Sequence, residues 1–448
     1  MMRHSFFIII SLAYSLTAHA GNDDLMSLYE RAVQASPELN GSEYALEIAK
    51  AREAQSVSKL MPQITATGNY SLNQFSSTRN TLTTKTPYTA DYPGVRASVN
   101  LQQPLFDLQS YLLMRSQQSL TSQGEEELLA AHQKLIADLV ERYMDALEAR
   151  DKSQIITDEL SSTEKQLERV KAMHARQLAM VTDLYELQAR TETLRASLID
   201  SDNDARIALE KLRELTGDAI SGIQTARLDA VQPAPEGTID SWVQQAGRIN
   251  PQLQALKHAV EAARISINAY QAGYLPTIQL QLSEVYSDTS YNNQQSPPFE
   301  IGTAAVQATV PIYEGGITTA RIKEAEARKK YTETQLEQKL RELEKLTRAA
   351  YLDMTTSPAR NQAADRQLVA SEKSRDAKKK GYELGVVTIV DVLNAEKELS
   401  EARKLQRQAR YRYIRARSSL YYETGQLIGV ELAQMNTLFV EPVSAGKK

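Results

Sequence analysis

Hydrophobic and polar positions along the chain follow two periods, and the switch between them occurs twice in the same order. From Gln63, the residues Ile64, Ala66, Gly68, Tyr70 and Leu72 alternate with Gln63, Thr65, Thr67, Asn69 and Ser71. A period of two over ten residues predicts a strand with one apolar and one polar face. Val95, Ala97, Val99 and Leu101 repeat the pattern up to Pro104. Ile278, Leu280 and Leu282 do so in the second half, followed by Ala304, Val306, Ala308, Val310 and Ile312. The predicted strands cover about 62–76, 94–106, 276–290 and 300–312.

Between them the period is helical. No proline lies between Pro104 and Pro233, and no glycine between Gly124 and Gly217, so one helix is predicted over about 109–176. At 1.5 Å per residue it measures about 100 Å, too long for a compact domain. Its apolar stripe is narrow: Leu128, Leu135, Leu139, Tyr143 and Leu147. The second half repeats it with Leu336, Leu340, Leu343 and Leu346, and after a turn with Leu399, Ala402, Leu405, Ala409, Tyr413, Ala416 and Leu420. Such stripes pack helix against helix in coiled-coil fashion and leave another face polar. Shorter helices over 25–61 and 183–216 sum to the length of the long one, and so do 239–275 and the helix after Asp391. Pro358 predicts a break or kink in the second long helix.

The two halves are an internal duplication. Pro37-Glu38-Leu39 recurs as Pro251-Gln252-Leu253, Pro104-Leu105-Phe106-Asp107 as Pro311-Ile312-Tyr313-Glu314, and Thr216-Gly217 as Thr424-Gly425. The organisation is a signal peptide at 1–20, a first repeat at 21–238 with a turn at 177–183, and a second at 239–448 with a turn at 381–391. Non-periodic residues 217–238 and the tail after Gly425 are predicted to form a belt part-way along the helices.

Composition narrows the class. There is no cysteine, so disulfides, thiolate metal sites and a lipidated cysteine are excluded. With 52 basic against 56 acidic side chains, no bulk field draws in nucleic acid. Arg3, an apolar stretch from Phe6 to Leu16 and Ala18-His19-Ala20 read as a cleavable secretory signal. No later stretch is long and apolar enough for a spanning helix, so any membrane role must use strands.

The polar faces are mostly uncharged Gln, Asn, Ser and Thr, and the apolar faces mix Ala and Gly with large residues. That suits a barrel wall with lipid outside and water inside; a two-sided sheet on a soluble core is the alternative. Phe75, Tyr88, Tyr92, Phe106, Tyr286, Tyr291, Phe299 and Tyr313, near strand ends, fit aromatic girdles. Loops at about 76–93 and 291–299 are expected to face outside. Four strands cannot close a barrel, so several chains must contribute to one.

Thr388-Ile389-Val390-Asp391-Val392-Leu393-Asn394-Ala395 after Gly381-Tyr382-Glu383-Leu384-Gly385, with Gln103-Pro104-Leu105-Phe106-Asp107 after a strand, resembles the TolC family of outer-membrane export ducts over the whole mature chain. The resemblance implies a mainly α fold with a β-barrel contribution: a homotrimer in which each chain gives four strands to a 12-stranded barrel in the outer membrane of a Gram-negative bacterium. A periplasmic helical tunnel would continue the barrel. It implies a passive exit duct for type I protein secretion, multidrug efflux or both. Its partners would be a periplasmic adaptor (membrane fusion protein), an inner-membrane ABC or proton-driven transporter, and outer-membrane lipid. No cofactor or metal is implied.

By the same resemblance the tunnel entrance lies at the two turns, with Asp183, Tyr382, Gly385, Asp391 and Asn394 as gating candidates. Lys378, Lys379, Lys380, Val386 and Val387 are adaptor-contact candidates. Gln177 stands where Gly is usual, Val387 where a basic residue can sit, and Asn394 where a second acid can sit. A plainer reading is open for two of these residues: Asp183 with Glu186, and Asp391 with Thr388, have the spacing of helix caps. Lys378–Lys380, Arg169, Lys171 and Arg176 likewise suit helix C-termini. Two rival functions are an enzyme and a soluble periplasmic coiled-coil spacer. His132, His174 and His258 are scattered and no HExxH, GxSxG or P-loop pattern occurs, while a spacer leaves the alternating strands unexplained.

Overall fold

The computed structural model describes residues 23–80, 84–220, 222–227, 233–289 and 297–440. The signal-peptide reading, Tyr291 and most of the 291–299 loop lie outside them. In chain order the elements are α1 (Leu25–Ala35), α2 (Pro37–Ser58), β1 (Gln63–Asn80), β2 (Lys85–Phe106), α3 (Leu108–Ala175), α4 (Val181–Thr216), β3 (Thr225–Ala226), α5 (Ile239–Ile249), α6 (Pro251–Gln271), β4 (Thr277–Thr289), β5 (Phe299–Thr309), α7 (Ile317–Glu383), α8 (Ile389–Glu423), α9 (Gly429–Asn436) and β6 (Phe439–Val440).

The long helices α3 and α7 have 68 and 67 residues, each about 100 Å. Each carries two short helices arranged end to end along it. Glu38 at the start of α2 pairs with Lys134 (2.5 Å), and Glu214 at the end of α4 pairs with Arg142 (2.7 Å), so the stack joins near the middle of α3. In the second repeat the joint is at Asn250, whose side chain donates to the Glu423 carbonyl at the end of α8 (3.0 Å). Gly425, at φ 74°, fits tightly there: a Cβ would lie 2.8 Å from the Asn250 Cα and the Ile249 carbonyl.

Two expected helices are each broken once. Proline lacks an N–H and holds the preceding residue extended, so Ser36 (ψ 114°) and Asn250 (ψ 121°) end one helix and cap the next, with Pro37 and Pro251 in its first turn. Pro358, by contrast, does not break α7. In the turn before it, the Thr355, Thr356 and Ser357 hydroxyls bond back to carbonyls one turn earlier.

The strands form one antiparallel sheet in the order β1-β2-β4-β5. β2 starts nine residues earlier than expected and runs through Pro104, where the register shifts against β4. The 76–93 segment is therefore largely strand, because Ser76–Asn80 pair with Lys85–Thr89 in unbroken register. Ile64 faces Leu101, Ala66 faces Val99 and Tyr70 faces Val95, so the alternation places one apolar face across β1 and β2. The band descends from Ile64–Leu72 on β1 to Ile278–Leu282 on β4, since Leu282 aligns with Leu101 and Glu284, Asp288 and Glu300 share the face above it. A diagonal band is the stagger that tilted barrel strands require. Val95, Val99 and Leu282 are exposed, whereas Ser98, Asn100, Ser283 and Ser287 are more covered, so the sheet curls with its polar face inside.

That pairing corrects the girdle. Phe75, Tyr88, Tyr92 and Phe299 share parity with Asn73, Ser77 and Ser287 and lie on the polar face. Tyr70, Phe106 and Tyr286 lie on the apolar one.

The core is half-way along the helices, where α1, α3, α8 and α9 meet β3 and β6. Tyr143, Leu147, Tyr413 and Leu420 are buried there, and Tyr143 meets Phe439 edge-on at 5.2 Å. Thr225–Ala226 pair with Phe439–Val440, joining the belt segments of the two repeats. The described residues contain no helix long and apolar enough to cross a membrane.

Candidate functional site

The α3–α4 and α7–α8 turns meet at the end of the helices remote from the sheet, and they are built alike. After α7, the Val386 and Gly385 amides reach back to the Gly381 and Tyr382 carbonyls (both 2.9 Å), with Gly385 left-handed at φ 72°. After α3, the Leu178 and Gln177 amides do the same to Met173 and His174 (both 2.8 Å), with Gln177 at φ 62°. The missing glycine has not changed the turn; Gln177 adopts the glycine conformation. Among the described residues it is the one non-glycine with positive φ.

Across the two turns, the Tyr382 hydroxyl donates to Asp183 Oδ2 at 3.0 Å. Burial, then this carboxylate, pushes the Tyr382 hydroxyl up to about 12, so it stays a donor at physiological pH. Asp183 does not cap α4. That helix starts at Val181 with Met180 at its cap and no side-chain capping bond, which leaves the carboxylate free for Tyr382. Below the pair, Leu167, Val170, Leu187, Ile389, Val392 and Leu393 form a small core that fixes the ring. Arg169, expected only as a helix-end cation, bridges to Glu383 at 3.1 Å.

The equivalent acid in the second repeat does something else. Thr388 caps α8 in a reciprocal capping box: Asp391 accepts from the Thr388 amide (2.9 Å) and hydroxyl (2.6 Å), and the Thr388 hydroxyl accepts from the Asp391 amide (3.3 Å). Those bonds, with Lys378 nearby, hold the Asp391 carboxyl below its ordinary value. The capping reading thus holds for Asp391 and fails for Asp183. Asn394 is exposed on the first turns of α8, Lys378 and Lys379 are half-buried, and Lys380 is exposed on the last turn of α7.

A cleft of about 520 Å³ opens between the turns, with Met173, Asp183, Tyr382 and Val387 in its wall. Around it Leu178, Met180, Leu384 and Val386 are each about 70% exposed, an apolar collar at the tip. Sequence reasoning found the two turns but missed residues deeper in the bundle. Glu159 and Glu396 are buried acids paired with Arg190 and Arg375, and Tyr411 is bonded to Asp151. Charged positions inside a coiled-coil stripe were the available signal.

The sequence profile described as "Outer membrane efflux protein" matches residues 28–218 and 242–426. Outer membrane protein TolC of Vibrio cholerae is 27% identical over 437 residues, covering 94% of this chain and 95% of the relative. Alkaline protease secretion protein AprF of Pseudomonas aeruginosa is 26% identical, covering 93% of this chain and 87% of AprF. Among solved structures, the Campylobacter jejuni CmeC outer membrane channel superposes with TM-score 0.80 at 13% identity, over 98% and 97% of the two chains.

Proposed function

Since the chain belongs to the outer membrane efflux protein family, we propose that three copies form the exit duct of a three-part export system. The duct takes cargo from a periplasmic adaptor and an inner-membrane ABC or proton-driven transporter. One observation carries the reading: a curled four-stranded sheet, apolar outside and polar inside, whose edge strands β1 and β5 have no strand partner among the described residues. Unpaired strand edges are not tolerated in lipid, so they must be closed by strands of further copies. Twelve strands make a barrel wide enough for a water-filled passage.

The duct does no chemistry. At the tip, Tyr382 and Asp183 fasten α7 to α4, and opening moves the α7–α8 hairpin away from its neighbours, a shift between two packed arrangements. The apolar collar with Val386, flanked by Val387 and Lys378–Lys380, receives the adaptor. AprF and the Dickeya chrysanthemi relative PrtF are named for protease secretion, and the Brucella suis relative BepC for efflux. Polypeptides and small molecules are both suitable cargo for such a passage.

Detergent extraction from outer membranes tests the reading. The expected species has about three times the 50.0 kDa chain mass and conducts ions in planar bilayers. A monomer released by carbonate washing would overturn it in favour of the coiled-coil spacer.

A further inference from the structure

The seam between α3 and α8 joins the two helical hairpins, and it is held differently at its two ends. Towards the tip, Glu396 of α8 is 7% exposed, and a single oxygen of its carboxylate receives everything. Ser162 Oγ (3.3 Å) and Gln166 Nε2 (3.4 Å) donate to it from α3, and Arg375 Nη1 of α7 stands at 3.5 Å. One turn away on α3, the buried Glu159 turns instead to Arg190 of α4. Further from the tip the seam is tighter and more ionic. The Tyr411 hydroxyl donates to Asp151 at 2.5 Å, and Arg415 contacts Asp145 (2.6 Å), Glu141 (3.0 Å) and Glu148 (3.1 Å).

The two ends respond differently to separation. If α7 and α8 swing away together, Arg375 travels with Glu396, and only two long bonds from neutral donors are lost. A carboxylate with one cation beside it can then take up water. Separating Arg415 from three α3 acids, or Tyr411 from Asp151, strands charged groups beside the largest apolar core of the molecule.

We propose that Glu396 is a second fastening point of the α7–α8 hairpin, about 10 Å in from Tyr382, and that the seam stays shut from the Glu148–Gln408 and Asp151–Tyr411 contacts upward. This rests on the duct reading above and adds where the movement stops. The moving part of α8, from Ile389 to Gln406, is then about 26 Å long. Glu396 is a positioning residue: it touches no cargo and acts by holding a helix pair in place.

The absence of cysteine makes the test clean. Ser162→Cys with Glu396→Cys, and separately Glu148→Cys with Gln408→Cys, are introduced into the full chain and joined with a short bis-thiol reagent. Linking the lower pair should abolish export of a reporter cargo; linking the upper pair, whose native side chains hydrogen-bond at 2.6 Å, should leave export unchanged. Export blocked by the upper link, or unaffected by the lower one, overturns the proposal. Ser162→Ala with Gln166→Ala keeps the buried Glu396–Arg375 pair and should raise bilayer conductance several-fold with trimer melting unchanged. Melting that falls without a conductance change would assign these residues to packing alone. A wild-type protein that forms no pore would instead refute the duct reading itself.

Discussion

The Tyr382 hydroxyl and the Asp183 carboxylate meet at 3.0 Å although 199 residues separate them in the chain. Duplication has placed an acid in the first turn of both return helices, and only the first-repeat acid is free to make this bond. Tyr382→Phe keeps the ring packed against the small apolar core at the tip and removes the bond alone. A half-buried hydrogen bond to a charged group is worth about 1 kcal/mol, so the open fraction should rise about fivefold per protomer. Single-channel conductance in planar bilayers checks this; Asp183→Asn should act in the same direction.

Gln177 and Gly385 occupy the same left-handed position in their turns. A side chain there costs roughly 1–2 kcal/mol, partly offset by the greater unfolded-state freedom of glycine. Gly385→Ala should therefore destabilise the tip by about 1 kcal/mol, although nothing lies within 4 Å of the new Cβ. Gln177→Gly should stabilise it slightly. Hydrogen exchange of the α4 and α8 first-turn amides reads both effects.

Gly425 is a different case because its strain is steric as well as conformational. A methyl group there would press on the backbone of Ile249 and Asn250, which has no room to yield. Gly425→Ala should cost about 3 kcal/mol or more and loosen the joint between α6 and α8. The checks are a lowered trimer melting temperature and protease cleavage near residue 250.

Burial lifts the Glu423 carboxyl from its ordinary 4.5 to about 7, with Glu342 adding to the rise and Lys339 opposing it. The folded protein thus holds this proton more tightly than the unfolded chain does. The associated stability is full below about pH 4.5 and declines as the pH rises towards and through about 7. Thermal melting should be higher at pH 5 than at pH 8, and Glu423→Gln should flatten that part of the dependence. An unchanged slope in the variant would count against it.

The architecture was readable because the signals were long. Ten-residue alternations and a proline-free run of more than 100 residues leave few alternatives, and the repeat supports the order of elements twice. Local details were harder. Ser36 and Asn250 split helices because a following proline acts on its predecessor, which an apolar stripe does not register. Phe75 and Tyr92 suited a girdle until the pairing of β1 with β2 fixed their face. Asp183 and Asp391 have similar sequence settings, and which of them caps a helix depends on whether a threonine or a methionine occupies the cap.

The apolar face of the β1–β2 hairpin ends at Leu72 and Pro93, but the pairing continues to Asn80 and Lys85. The strand from Gln74 to Asn80 adds about 23 Å, with Gln74, Ser76, Thr78, Asp91 and Thr89 on the face that is apolar lower down. In the proposed duct this ribbon stands clear of the membrane on the side away from the helices, the cell exterior, within reach of an antibody. An epitope tag inserted between Asn80 and Lys85 would be displayed on intact cells without disturbing the wall beneath it.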